Sequence, residues 1–243
     1  MLSRFFGLSS YRLATISPER ELVVIGDIHG RMDLLCRALE QAQGAQVVCV
    51  GDYVDRGPES AGVLRLLQEC PEVLCLGGNH EDMLLRFLDN PNDHNAGWLK
   101  HGGDTTLESF GLDWRQFQAN HAAMRDELVG AMGEALIEWL RALPNYFVSG
   151  NVAVVHAGAD PNSPIELQDS RILRWGHSQF SKQIRKDGVW VVHGHTIVGK
   201  GFVRRGRVAV DTGAYATGRL TLAHINKSSV ILEAVESTRD CLT

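Results

Sequence analysis

Nowhere does the sequence carry the ~20 uninterrupted apolar residues that a membrane-spanning helix needs, so no span is expected. It also lacks a C-x-x-C pair: Cys36, Cys49, Cys70, Cys75 and Cys241 are odd in number and scattered. That speaks against a disulfide framework and favours a reduced, intracellular setting. Positive charge is not in excess, with 24 Lys and Arg against 29 Asp and Glu. A net charge of -5 argues against a general partner of nucleic acid or of anionic membrane. The opening stretch, MLSRFFGLSSYRLATISPER, has no sustained apolar core. No signal peptide is therefore expected, and the expected location is cytoplasmic. Internal repeats and low-complexity segments are missing too.

The familiar covalent nucleophiles of hydrolases are also missing. No cysteine is followed six positions later by arginine, which excludes the thiol-phosphatase signature. No G-x-S-x-G provides a serine elbow. GHTIVGKG (residues 194–201) imitates a phosphate-binding loop but has Gly201 where a magnesium-binding Ser or Thr is required. HEDML, from His80, begins like a zinc-protease motif and has no second histidine.

What is present is an ordinary globular composition, 44% hydrophobic and 22% charged over 243 residues. Residues 1–243 are read as a single domain, long enough to bury a substantial core. Three βα units come first. ELVVIGD, AQVVCVGD and EVLCLGGNH read as strands, and RMDLLCRALEQA, ESAGVLRLLQEC and EDMLLRFLD as amphipathic helices. Such alternation points to parallel strands with crossover helices, an α/β class. Residues 92–143 read as a helical insertion within the domain, ending at Pro144. Then come the short strands NYFVSG, VAVVHAG, GVWVVHGH, RVAVDTG and RLTLAHI, expected to pair through tight turns.

The first three strands end alike, in GDIHG, GDYVDRG and GGNHE. Asp27, Asp52 and Asn79 are spaced by 25 and 27 residues, about one βαβ unit each. Right-handed crossovers put the carboxyl ends of such strands on one edge, where α/β sheets bind ligands. The second half adds His156 after VAVV, and His193 and His195 after VWVV. Any one Asp after a strand is as well explained as a turn or helix cap, and a lone buried His as a satisfied hydrogen-bonder. Five strand ends of one character are not, because unpaired buried Asp and His are costly. Carboxylate, amide oxygen and neutral imidazole together suit divalent metals. Two Asp, one Asn and three His exceed one tetrahedral site and suit two ions roughly 3.5 to 4 Å apart that share a carboxylate.

GDIHG, GDYVDRG, GNHE, VHAG and GHT, in that order, resemble the motif set of the phosphoprotein phosphatases. These are serine/threonine phosphatases among the calcineurin-like metallophosphoesterases, and the short chain is similar to their bacterial and phage branch. The resemblance runs from Asp27 to the DTGAYATGRLTL segment. It implies a two-sheet β-sandwich flanked by helices. It also implies that Asp27, His29 and Asp52 hold one ion, while Asp52, Asn79, His156 and His195 hold another. His80 would be the general acid, supported by Asp55, and Arg56 would grip the phosphoryl group. Manganese is the metal expected, with iron and zinc as alternatives. The chemistry of the residues agrees: metal-acidified water attacks phosphorus, and a carboxylate-supported imidazole protonates the leaving oxygen.

Weaker expectations concern substrate contacts. Many relatives have a second phosphate-binding arginine two residues after a tryptophan; here Trp175 is followed at that spacing by His177. His177 or the neighbouring Arg174 is a candidate replacement, and Tyr215 is a candidate pocket residue. His193 shares a strand face with His195 and is read as supporting or structural. The expected activity is metal-dependent hydrolysis of phosphomonoesters, on phosphorylated protein or small phosphoesters. The alternatives are a diadenosine tetraphosphate hydrolase and a catalytically inactive metal-binding regulatory module.

Overall fold

A computed structural model describes residues 13–42 and 44–237. Most of the opening stretch read for a signal peptide, and Cys241, lie outside the described residues. The expected βα alternation opens the fold as β1 (Leu22–Ile25), α1 (Met32–Gln41), β2 (Gln46–Cys49), α2 (Ser60–Glu69) and β3 (Leu74–Cys75). β1 pairs with β2, and β2 with β3, both in parallel.

The helical segment that follows contains α3 (Asn79–Asp89), α4 (Pro91–Trp98), a π-helical turn (Leu99–Gly103), α5 (Asp104–Ser109), α6 (His121–Met132) and α7 (Glu134–Ala142). Pro91 opens α4, where its missing N–H costs nothing. The second half supplies β4 (Tyr146–Ser149), β5 (Val152–Val155), α8 (Ser170–Trp175), β6 (Trp190–His193), β7 (Phe202–Arg204) and β8 (Arg207–Ala209). It closes with α9 (Ala214–Thr217), β9 (Arg219–Ile225) and β10 (Val230–Glu236).

Two five-stranded sheets result, in the orders β10-β9-β1-β2-β3 and β4-β5-β6-β8-β7. Alternation along the strands explains why β1 is apolar at every position. Val23 and Ile25 face a core shared with Leu34, Leu35 and Ala38 of α1. Leu22 and Val24 face a second core with Val154, Val192 and Val208 of the other sheet. A strand covered on both faces has no polar side.

Three expectations need correction. β3 is only two residues long, so Asn79 and His80 do not end a strand; they are the first residues of α3. The Gly77-Gly78 pair breaks the strand, and Gly78 caps the helix. The second-half strands do not all pair through tight turns: β5, β6 and β8 are parallel neighbours. Their parallel order puts His156 and His195 on the same edge as the first-sheet loops. Finally, β7 and β10 were not foreseen. β7 is exposed along its whole length, and β10 over much of it, so neither carries a buried apolar run.

Candidate active site

The loops after β1 and β2 are stitched together by backbone bonds: the N–H groups of Ile28 and His29 donate to the Asp52 carbonyl at 3.1 and 2.8 Å. Gly30 N–H donates to the Tyr53 carbonyl at 2.8 Å. The turns are sharp. Among the described residues, His29, Asp52, Asp55, Arg56 and His195 all adopt positive φ, and Arg205 in the β7–β8 turn is the one other non-glycine to do so. Such backbone persists where the surroundings enforce it, and it gathers at functional sites. Glycines let the loops close: a Cβ on Gly78 would stand 2.2 Å from Asp52 Oδ1, and one on Gly194 1.8 Å from Asp27 Oδ1.

The six residues expected to hold metal come together on this edge. Asp52 is central. Its Oδ2 lies 3.6 Å from His29 Nε2 and 3.9 Å from His80 Nε2, and its Oδ1 lies 3.3 Å from His156 Nε2. Asn79 Oδ1 lies 2.9 Å from His156 Nε2 and 2.7 Å from His195 Nδ1. Two clusters have their ligand atoms all within 4.8 Å of one another: His29, Asp52 and His80, and Asp52, His156 and His195. Asp27 belongs to neither; its carboxylate accepts the His195 backbone N–H at 3.0 and 3.2 Å.

The donor chemistry fits cations. His29 Nδ1 donates to the Val54 carbonyl at 2.7 Å, and His156 Nδ1 to the Val50 carbonyl at 3.1 Å. Burial lowers these imidazoles to pKa values of about 3 and about 4, so both rings are neutral at pH 7. Each then turns a bare Nε2 lone pair toward carboxylate or amide oxygen. Lone pairs facing lone pairs repel unless a cation sits among them, and a carbonyl-anchored imidazole is the usual form of a metal ligand. Burial, and then the charges of Asp211 and Asp52, push the Asp27 carboxyl well up. Burial also disfavours charge on Asp52, but His156, His80 and His29 outweigh it and hold that carboxyl low.

A second arrangement lies beside the first. His80 Nδ1 donates to Asp55 Oδ2 at 2.6 Å, and Arg56 Nη2 approaches His80 Nε2 at 3.1 Å. Burial opposes charge on the His80 ring, yet the Asp52 charge and the Asp55 bond raise its pKa. The Arg56 guanidinium lies 4.8 Å above the Tyr215 ring, which makes an edge contact with His29. Beyond His101, whose ring lies 6.5 Å from that of His80, opens a cavity of about 180 Å³, lined by Met83, Arg86, Trp98, His101 and Trp175 among others.

The weaker candidates sit differently. Arg174 is engaged away from Asp52, donating to Asn145 Oδ1 at 2.7 Å and to the Leu143 carbonyl at 3.0 Å. His177 Nδ1 meets the backbone N–H of Gln179 at 3.4 Å. His193 is buried against Phe180, its Nδ1 donating to the Gly194 carbonyl at 3.0 Å.

Two site residues went unread. Glu81, inside the GNHE motif, accepts N–H groups from Asp52, Tyr53 and Gly78 at 2.8, 2.7 and 2.8 Å and so ties the second and third loops together. Burial, with Asp52 adding, raises its pKa to about 7. Asp211 follows the apolar strand β8 as Asp27 follows β1, so the same signal was there to find. Burial lifts its pKa to about 6.

Known proteins resemble this chain in sequence and in fold. The serine/threonine-protein phosphatase 1 of Salmonella typhimurium is 29% identical over 217 residues, 85% of this chain and 92% of that protein. An asymmetrical bis(5'-nucleosyl)-tetraphosphatase of Oceanobacillus iheyensis is also 29% identical, over 82% of this chain and 86% of its own length. The crystal structure of a metallophosphoesterase from Sphaerobacter thermophilus shares the fold, with a TM-score of 0.56 at 19% identity over 89% of this chain and 88% of that one. Among the described residues no helix is long and apolar enough to cross a membrane. Residues 21–199 match the calcineurin-like phosphoesterase family, and the chain belongs to it: a metal-dependent hydrolase of phosphoesters.

Proposed function

We propose that the protein hydrolyses phosphomonoesters, with phosphoserine and phosphothreonine on proteins as its substrates, at a centre of two divalent ions. The observation that carries this reading is Asp52, which takes part in both ligand clusters, while His80 of the first cluster turns its Nδ1 away to Asp55. Asp27, His29 and Asp52 would hold one ion; Asp52, Asn79, His156 and His195 would hold the other. Manganese is the metal we favour. When bound, the ions acidify a water and offset charge on the phosphoryl oxygens.

The chain's own residues do the rest. Arg56 exchanges its contact with His80 Nε2 for a phosphoryl oxygen, since a guanidinium prefers a charged acceptor. His80, its Nδ1 held by Asp55, then delivers a proton from Nε2 to the leaving oxygen. Tyr215 keeps the guanidinium over its ring. Residues 1–243 form one domain in this reading, with 92–143 inserted beside the site.

The similarity to a dinucleoside tetraphosphatase supports a second reading, cleavage of a phosphoanhydride. The cavity lined in part by His101 and Trp175 has aromatic residues of the kind on which nucleobases stack. The test is manganese-dependent turnover of a phosphopeptide panel beside a dinucleoside tetraphosphate, with Asp52→Asn and His80→Asn as controls. Faster turnover of the phosphopeptides is expected. A clear preference for the dinucleotide would replace the first reading with the second. A metal-loaded protein inactive on both would leave a binding module.

A further inference from the structure

Asp55 is fully buried, and much of what holds it comes from the helical segment rather than from its own loop. Its Oδ2 accepts from His80 Nδ1, and its Oδ1 accepts the Thr106 hydroxyl at 2.7 Å. The Trp98 indole N–H sits between both oxygens, at 3.0 and 3.1 Å. The Thr106 oxygen also accepts the backbone N–H of Asp55 at 2.9 Å, which it shares with the Ser60 hydroxyl at 3.1 Å, so Thr106 touches main chain and side chain together. Arg56 N–H donates to the Gly102 carbonyl at 3.2 Å.

Trp98 and Thr106 flank the π-helical turn Leu99–Gly103, which brings both onto one carboxylate. Glycine is required there. Gly102 has φ 101, and a Cβ on Gly103 would stand 2.5 Å from the Trp98 ring. Trp98 is fixed in turn by stacking on Phe87, with centroids 4.7 Å apart. Asp55 and Arg56 have φ of 71 and 69, a costly conformation for non-glycine residues that lasts only while neighbours enforce it. The π turn and α5 are among those neighbours.

We propose that Trp98 and Thr106 are positioning residues for proton delivery: they lock the Asp55 carboxylate so that the His80 ring faces the leaving oxygen. This rests on the reading that His80 protonates the leaving group. Without the Thr106 hydroxyl, the Asp55 carboxylate turns about its soft terminal torsion, and His80 Nδ1 loses its fixed partner. The helical segment thus acts as a brace for the catalytic pair.

The test compares Thr106→Val, Thr106→Ser and Trp98→Phe in the wild-type and His80→Asn backgrounds. With a phosphoserine peptide, whose alkoxide must be protonated, T106V and W98F lower kcat roughly tenfold with KM little changed, and T106S restores it. With p-nitrophenyl phosphate, whose leaving group is stable unprotonated, the loss is smaller. In the His80→Asn background neither variant lowers kcat further, because the pair it serves is already gone. A second readout needs no turnover. In the metal-free protein, the proton shared by His80 Nδ1 and Asp55 gives a downfield NMR resonance that persists in T106S and is shifted or lost in T106V. Equal kcat losses in both backgrounds, or an unchanged resonance in T106V, would overturn the brace. A wild-type protein inert toward phosphomonoesters would refute the reading of function, and the resonance would still decide the brace.

Discussion

The two sheets deliver side chains to one edge by different means. The first sends Asp27, His29, Asp52 and, through the start of α3, Asn79 and His80, on loops that bend through left-handed backbone and are bonded to one another. The second sends His156 and Asp211 from strand ends without left-handed backbone, and His195 alone on a left-handed residue. First-sheet Asp52 belongs to both ligand clusters, whereas His156 and His195 belong to one. The shared parts of the site therefore sit on the first sheet, and the second completes a single cluster.

Asp52→Asn should expose this asymmetry most strongly. Removing the charge common to both clusters forfeits several kcal/mol of charge stabilisation, so activity falls by at least about 10³-fold. Bound manganese, counted by elemental analysis, should drop for both ions together. Retention of two equivalents by this variant would show that the clusters do not depend on Asp52 jointly.

His80→Asn comes next, with kcat on a phosphoserine peptide falling about 10²- to 10³-fold, the worth of a general acid. Manganese content should stay at the wild-type level, because the loss is of proton delivery. A matching loss of metal would move His80 among the ligands, as its place in the first cluster permits. His195→Ala probes the second sheet: activity should fall by about 100-fold, at least the upper end of what removing a ligand's outer-shell partner costs, because a proposed ligand itself is lost. One equivalent of manganese should remain.

The two halves also differed in how readable they were. GDIHG, GDYVDRG and GNHE carry both proposed ligands and the glycines that let the loops close, so the chemistry and the local backbone share a few residues. A two-residue strand such as β3 has too few positions to show alternation, and so Asn79 and His80 were placed on a strand when they open a helix. Trp98 and Thr106 gave no signal at all. Their partner Asp55 lies 43 and 51 residues away, and the turn that brings them to it is set by packing. Arg174 was proposed for its charge, and its neighbours Asn145 and the Leu143 carbonyl, which accept from it, could not be read from the sequence.

His193 tests the second sheet apart from catalysis. Burial lowers its pKa from 6.5 to about 4, so the folded protein resists protonation that the unfolded chain accepts. Its contribution to stability is present above pH 6.5 and is lost as pH falls toward 4. On this basis the protein should lose about 2 kcal/mol between pH 7 and pH 5 from this residue alone. His193→Asn should remove that share of the acid sensitivity in urea unfolding. An unaltered slope would mean that the ring is already satisfied when charged.

The smallest effect expected is at Tyr215, where the two sheets meet the substrate side of the site. Its ring supports Arg56 at 4.8 Å and His29 at 5.4 Å without offering either a hydrogen bond. A cation–π contact at such a partly open position contributes about 0.5–1 kcal/mol. Tyr215→Leu should therefore raise KM by about two- to fivefold, because Arg56 is less well aimed at the phosphoryl group before it binds. kcat should change little, since His80 and Asp55 do not touch this ring. A fall in kcat with KM unchanged would instead place Tyr215 with the proton-delivering pair, and the support of the Arg56 guanidinium would have to come from its contact with His80.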